Sequence, residues 1–338
     1  MKCVLLAGGS GTRLAPLTDG FSKHLVRVGQ RTLLEHALSD LEAGGVDEVC
    51  VVLGETGATA IRDHLRESDQ FDLEVRYAVQ GAARGVADAI SHAEPFVGDE
   101  PFLVYLGDNL FGPSLEPFVR GFAATEDGVG LCLRRVDDPT RFGVPVFESG
   151  SLQDIVEKPA DPPSEYAVTG LYGFPPAVFD HIERLEPSDR GELEVTDAIR
   201  SLLDAGRSAH VHRFDGWWVD AGTPDGLLTA NRRVLAGSGG SGPAAATDAV
   251  GADADSGLGE GVRVRAPVSV GAGVEVGNGT ELGPNVTLDA DVVVGSEARI
   301  SDSIVLSGAT VADGTSVTES IVAPGARVTS PLRGEVYR

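Results

Sequence analysis

From Val264 to Thr310 the chain repeats itself every six residues. Val264, Val270, Val276, Leu282, Leu288, Val294, Ile300 and Leu306 are each followed four residues later by Val268, Val274, Thr280, Val286, Val292, Ala298, Ile304 and Thr310. Gly271, Gly277, Gly283 and Gly295 stand directly behind their aliphatic partners. This pattern predicts short strands that turn corners at small residues and stack their aliphatics inward, a left-handed parallel β-helix. With three hexapeptides to a coil, the repeat predicts roughly four coils. The expected span is 262–330, with 331–338 as a tail.

Ahead of the repeat, "GSGGSGPAAATDAVGADADSGLGEG" (237–261) has no aliphatic periodicity and no aromatics, so it is read as a flexible linker. Residues 1–236 behave differently. Short β-rich runs at Lys2 to Ala7, Glu48 to Leu53, Leu73 to Val79, Phe102 to Leu106 and Gly130 to Arg135 alternate with helical stretches. In "TLLEHALSDLEAGG", Leu33, Leu34, Ala37, Leu38 and Leu41 keep the helical period and Gly44 supplies the stop. Strand and helix in alternation predict an α/β, Rossmann-like three-layer domain, its mostly parallel sheet covered on both faces. In such sheets ligands bind at the carboxyl ends of the strands, where residues 8–25 and Asp108 fall. Residues 136–235 are read as the other half of the same domain.

The formal net charge of the 338-residue chain is −24, and its only lysines are Lys2, Lys23 and Lys158. That balance excludes nucleic acid and acidic membrane surfaces as partners. A strongly acidic, lysine-poor surface suits a salt-rich cytosol, so the protein is read as halophilic and cytoplasmic. The first apolar run, Cys3 to Ala7, is too short for a signal peptide core or a membrane span. Cys3, Cys50 and Cys132 are scattered among β-branched neighbours, which predicts buried, reduced thiols.

Behind the first strand comes "LAGGSGTRLAPLTDGFSKHL" (6–25). It lacks the spacing of a Walker A loop, and Leu14 stands where a dinucleotide fingerprint needs glycine. What remains is a glycine-rich turn whose amides can approach oxygens, followed by Arg13 as a fork and Lys23 as a point charge. That combination points to a polyphosphate. Asp108 ends the apolar strand of "VYLGDNLF" and Asp220 ends that of "WWVDAGTPDG". Magnesium prefers one or two carboxylates plus phosphate oxygens and water, so this pair is a candidate Mg²⁺ site. "IVEKP" puts Glu157 and Lys158 at another strand end, suited to a sugar hydroxyl and a phosphate. "RGELEVTDAI" is expected to start a helix at about Leu193, with Arg190 near its positive end. A nucleoside triphosphate and a sugar phosphate together carry about six negative charges, which Arg13, Lys23, Lys158, Arg190 and Mg²⁺ nearly balance.

Taken in order, "LAGGSGTRLAPLT", "SKHL", "YLGDNLF", "FGV", "EKP", "AVTGLY", "RGELEVTDAI" and "WVDAGT" resemble the sugar-phosphate nucleotidyltransferases, and within them the long-form glucose-1-phosphate thymidylyltransferases with a hexapeptide tail. The resemblance covers residues 1 to about 235. It implies transfer of a nucleotidyl group from dTTP or UTP to a sugar 1-phosphate, with Mg²⁺ and release of pyrophosphate. It assigns nucleotide contacts to Leu6, Ala7, Gly8, Gly9, Gly11, Thr12, Arg13, Gln80, Gly85 and Asp108. Sugar-phosphate contacts go to Gly143, Glu157, Lys158, Val168 and Arg190, and the metal to Asp108 and Asp220. Arg13, Lys23 and Lys158 are the catalytic charges it implies. Two positions depart from the pattern: His24 where glutamine is usual, and "GAARG", with Arg84, in place of a proline-containing base loop.

Two other classes compete. Hexapeptide β-helices also serve acyltransferases, but those usually need a histidine base, and His24, His36, His64, His92, His181, His210 and His212 all precede the linker. The tail is therefore read as a structural or regulatory element through which a homo-oligomer forms. A non-catalytic nucleotide-sugar sensor is the other class, separable from an enzyme by pyrophosphate release.

Overall fold

A computed structural model describes residues 1–9, 11–68, 70–125, 127–237 and 257–338. Most of the predicted linker, 238–256, lies outside the described residues. The chain forms two compact units that do not follow chain order: Met1–Ser10 with Ala37–Trp218, and Gly11–His36 with Val219–Arg338. The segment that carries Arg13 and Lys23 therefore belongs to the same unit as the C-terminal repeat.

The first unit is built on strands β1 (Lys2–Ala7), β2 (Glu48–Leu53), β3 (Glu74–Val79), β4 (Phe102–Leu106), β5 (Val129–Arg135), β8 (Tyr166–Phe174) and β9 (Ala209–Phe214), beside a separate ribbon of β6 (Gly143–Glu148) and β7 (Ser151–Glu157). The seven-stranded sheet has the order β3-β2-β1-β4-β8-β5-β9. Only β8 runs antiparallel to its neighbours. β1 and β2 are buried at nearly every position, which requires cover on both faces and explains their continuous apolar sequences. The core gathers Val4, Val52, Phe102, Val104, Leu131 and Leu133 from the sheet against Ile90, Ile182, Ile199 and Leu202 from helices. Cys3, Cys50 and Cys132 are buried free thiols, and burial pushes Cys50 up to about 11 and Cys132 up to about 12.

Helix α1 (Leu33–Ala43), whose first turn belongs to the second unit, opens on a reciprocal cap. The Thr32 amide donates to Glu35 Oε2 at 2.7 Å, and the Glu35 amide to Thr32 Oγ1 at 3.2 Å. The C-terminal repeat forms a left-handed parallel β-helix of three five-stranded faces, running from Gly257 to Tyr337. There are thus five strands to a face, against the four coils expected. Strands at Gly257–Leu258, Leu332–Arg333 and Val336–Tyr337 lie in the stretches read as linker and tail. Gly257–Leu258 keeps the eighteen-residue spacing to Glu275–Val276, whereas toward the C-terminus the coil length changes. Val276 pairs with Val294, eighteen residues on, but Ile304 pairs with Ile321, seventeen on, and Val317 with Leu332, fifteen on. The corner Gly283-Pro284-Asn285 becomes Ser301-Asp302 one coil later, so the six-residue phase slips at the corner. Val311, and not Thr310, then points into the core.

Candidate active site

Three strand ends of the first unit carry candidate site residues. Leu6 and Ala7 are buried at the end of β1, so what they can offer is backbone. Gly8 follows, and a Cβ there would lie 2.9 Å from the Gly54 amide. One on Gly54 would lie 2.4 Å from the Gly8 carbonyl, so the turn after β1 closes only on glycine. Gly9 is exposed.

Gln80, at the end of β3, is 5% exposed. Its Nε2 donates to Asp88 Oδ2 at 2.7 Å and to the Gly85 carbonyl at 3.3 Å. Both partners accept only, so the amide orientation is fixed and Oε1 faces away from them. Asp88, in helix α2 (Val86–Ser91), also binds Arg84 at 2.6 Å, and His92 Nε2 lies 3.7 Å from it. Gly85 has φ +112°, and a Cβ on it would meet the Leu193 carbonyl at 2.5 Å. The loop ahead of α2 is stitched to the "RGELEVT" segment there, with Leu193 N–H donating to the Arg84 carbonyl at 2.7 Å and Ala87 N–H to the Leu193 carbonyl at 3.1 Å.

Asp108 follows β4, and its Oδ1 accepts from Asn109 Nδ2 at 2.9 Å. Asn109 is buried and in turn accepts from Trp218 Nε1 at 2.7 Å. The Trp218 ring packs on Phe142 with centroids 5.0 Å apart, directly ahead of Gly143. A chain of contacts thus runs from Asp108 to the β6–β7 ribbon.

That ribbon brings Gly143, Glu157, Lys158 and Arg190 together. Glu157 pairs with Gly143 across β6 and β7. Its carboxylate accepts from Arg190 at 3.2 Å, lies 3.2 Å from Lys158 Nζ, and takes a bond from Thr196 Oγ1 at 3.4 Å. Arg190 also binds Glu194 at 2.7 Å and faces Glu192 at 3.8 Å. Burial opposes the guanidinium charge, but these carboxylates outweigh it and hold Arg190 above its ordinary value. Lys158 sits at φ +43°, bent by the turn that ends β7. The neighbouring helix α3 (Val195–Asp204) starts at Val195 with Glu194 as its N-cap, two residues later than expected, because Glu194 still has an extended backbone. Val168 differs from the others: its side chain lies in the core cluster, so only its backbone faces the β8 irregularity.

In the second unit, Gly11 has φ +63°, and a Cβ on it would strike Thr18 Cγ2 at 2.8 Å. Thr18 Oγ1 returns a bond to the Gly11 carbonyl at 2.9 Å, locking the turns that carry Thr12 and Arg13. Arg13 is exposed, whereas Lys23 and His24 are buried in the next turn, with His24 Nδ1 3.3 Å from Ser22 Oγ. Asp220 Oδ1 accepts from the Gly222 amide at 2.8 Å. A Cβ on Gly226 would meet the Asp220 carbonyl at 2.2 Å, so the "DAGTPDG" turn admits only glycine there. Helix α4 (Pro224–Leu235) follows, capped by Thr223 Oγ1.

Asp88, Asn109, Glu194 and Thr196 escaped the sequence reading. The one local signal was Asp88, an acid set among Ala87, Ala89 and Ile90 on a buried stretch.

The chain belongs to the nucleotidyl transferase family, whose profile matches residues 2–237. The structure is accordingly a Rossmann-like nucleotidyltransferase domain followed by a left-handed β-helix, and residues 264–335 match the GMPPB C-terminal domain. Among curated relatives, the low-salt glycan biosynthesis nucleotidyltransferase Agl11 of Haloferax volcanii is 44% identical over 236 residues, 70% of this chain and 66% of that protein. The glucose-1-phosphate thymidylyltransferase of Streptomyces griseus is 39% identical over 236 residues, with the same shares. The UTP–glucose-1-phosphate uridylyltransferase AglF of Haloferax volcanii is 34% identical over 237 residues, 69% of this chain and 96% of that protein. The match thus spans just under two thirds of the length of the first two relatives. Among the described residues, no helix is long and apolar enough to cross a membrane.

Proposed function

We propose that this protein is a sugar-1-phosphate nucleotidyltransferase that joins dTTP and glucose 1-phosphate into dTDP-glucose and pyrophosphate. The observation that carries the reading is the convergence of Glu157, Lys158, Arg190 and Gly143 on one ribbon end. Two cations there share the Glu157 carboxylate, which an incoming phosphate dianion can replace. Released from them, Glu157 is left to accept from a sugar hydroxyl.

In this reading a phosphate oxygen of the sugar 1-phosphate attacks the α-phosphorus in line. The new P–O bond forms as the α–β bridge breaks, and the bond pair leaves with pyrophosphate. A phosphate dianion is already nucleophilic, so the chain's residues act by positioning and charge. Lys158 and Arg190 hold the attacking phosphate, while Arg13, with Lys23, neutralises the leaving pyrophosphate. The Gln80 carbonyl oxygen accepts the N3–H of the base, with Gly85 framing the loop. Leu6, Ala7, Gly8, Gly9, Gly11 and Thr12 present backbone to the triphosphate.

Asp108 and Asp220 offer hard carboxylate oxygens, and among the described residues no group of three or more His, Cys, Asp or Glu gathers to cage an ion. Mg²⁺, which takes one or two carboxylates and keeps phosphate oxygens and water, fits that donor set. When bound, it supplies positive charge against the phosphate oxygens.

UTP is the second reading, favoured by the uridylyltransferase name of a relative, and Gln80 fits it equally, since thymine and uracil carry the same N3–H. Assembly into a homo-oligomer through the β-helix belongs to the same proposal and is read by light scattering. The deciding experiment is pyrophosphate release in Mg²⁺ and high salt, crossing dTTP, UTP, CTP, GTP and ATP with glucose, N-acetylglucosamine and mannose 1-phosphates. Turnover confined to dTTP or UTP is expected; silence with every pair overturns the reading.

A further inference from the structure

The proposed chemistry leaves the β-helix without a task. Yet a buried polar junction ties it to the loop that carries Arg13 and Lys23. Asn231 lies on the face of α4 that buries Leu227, Leu228 and Ala230, and it is 1% exposed. Its Oδ1 accepts two bonds, from the Gly29 amide at 3.1 Å and from the Thr287 hydroxyl at 2.7 Å. Its Nδ2 donates to the Asn285 carbonyl at 3.1 Å. The Gly29 amide also reaches Thr287 Oγ1 at 3.2 Å.

Gly29 is the turn of the hairpin Arg27–Val28 with Arg31–Thr32, which directly follows the Lys23–Leu25 turn. Thr287 is fully buried on the β-helix strand Val286–Leu288. Two ion pairs flank this centre: Arg27 Nε with Asp289 Oδ1 at 2.8 Å, and Arg232 Nε with Asp302 Oδ1 at 2.8 Å. Asp302 Oδ1 also accepts from Asn285 Nδ2 at 2.9 Å. The hairpin presses close, since a Cβ on Gly29 would stand 2.9 Å from Val234 Cγ1. The hairpin after Lys23, the helix after Asp220 and a β-helix coil therefore share one network.

An apolar contact would hold these pieces together with some freedom to slide. A buried network is different, because each member is satisfied in one register only and a half-satisfied network is costly. We infer that the β-helix is a positioning element for the phosphate loop, with Thr287 and Asn231 as the positioning residues that hold the segments bearing Arg13, Lys23 and Asp220 in register. This inference rests on the transferase reading for its kinetic part, and on the fold alone for the rest.

The test uses the full chain. Thr287→Val keeps the shape and removes the hydroxyl, Thr287→Ser restores it, and Asp289→Ala loosens the flanking pair should the valine variant not fold. Amide hydrogen exchange across residues 11–36 is measured without substrate, and kcat and KM with dTTP and glucose 1-phosphate. Thr287→Val is expected to raise exchange in 25–32 at least tenfold. It should lower kcat about tenfold with KM for the sugar phosphate within about twofold, and Thr287→Ser should reverse both. Exchange in 11–36 unchanged from wild type overturns the inference, as does a wild-type kcat despite raised exchange. A wild-type protein that releases no pyrophosphate with any pair sinks the transferase reading instead, and the exchange arm still decides the coupling.

Discussion

The carboxylate of Asp88 and the amide of Gln80 meet at 2.7 Å, with the Gly85 carbonyl taking the second amide proton. Asp88 is 2% exposed and accepts as well from Arg84, so it acts as a fixed acceptor behind Gln80. Asp88→Asn replaces that acceptor by a group that can also donate, which allows the Gln80 amide to turn and present its N–H. The preference for bases with an N3–H over cytosine should then fall by roughly two- to tenfold, the value of a hydrogen bond between neutral groups. The kcat/KM ratio of dTTP to CTP in the variant measures it; an unchanged ratio removes Gln80 from base reading.

Asp108 has an acceptor-only role if it holds a cation, and Asn109 already orients one of its oxygens. Asp108→Asn should reduce pyrophosphate release by at least about a hundredfold while circular dichroism and the Tm stay close to wild type. Removal of divalent metal with EDTA should abolish wild-type turnover and Mg²⁺ should restore it. Substantial activity of the variant in Mg²⁺ counts against the metal role.

His36 donates from Nε2 to the Val28 carbonyl at 2.9 Å. Burial lowers its pKa from 6.5 to about 4, with Arg31 and Arg27 adding to the shift and the Val28 bond and Glu35 opposing it. The unfolded chain therefore binds a proton that the folded one refuses between those values. Stability is full above about pH 6.5 and declines as the pH falls toward 4, by about 3 kcal/mol in all from this group. In chemical denaturation at pH 7 and pH 4.5, His36→Gln should narrow the difference between the two; an equal loss in variant and wild type refutes the assignment.

A formal charge of −24 repels itself at low ionic strength. The screening length shrinks from about 10 Å at 0.1 M salt to about 3 Å at 1 M. The Tm should accordingly rise from 0.1 to 2 M KCl, and more than in sucrose of matched osmolality. A flat Tm would rule out salt adaptation and leave the acidity as a matter of solubility.

The strands of the sheet were legible because their apolar runs are local: β1, β2 and β4 carry the bounds expected of them. The ribbon residues Glu157, Lys158 and Arg190 were legible as charges at strand and helix ends. Their arrangement was not, since Glu194 and Thr196, which bind Arg190 and Glu157 respectively, are ordinary helix-start residues in sequence. Asn231 stands where the apolar face of α4 calls for a hydrophobe, which is a signal, but nothing near it names Gly29 or Thr287.

The sequence by itself determined the two architectures, an α/β sheet and a six-residue β-helix, because periodicity reports which side chains share a buried face. The glycine-rich turn after β1 was visible in it too, but the lack of room for a Cβ at Gly8, Gly11, Gly85 and Gly226 is a property of the fold. Only the tertiary structure decided that residues 11–36 and α4 belong with the β-helix and that the Gln80 amide points one way. It also decided the number of coils. These depend on pairings between residues far apart in the chain, where a single lost corner residue or one buried acceptor sets the outcome and leaves no periodic trace.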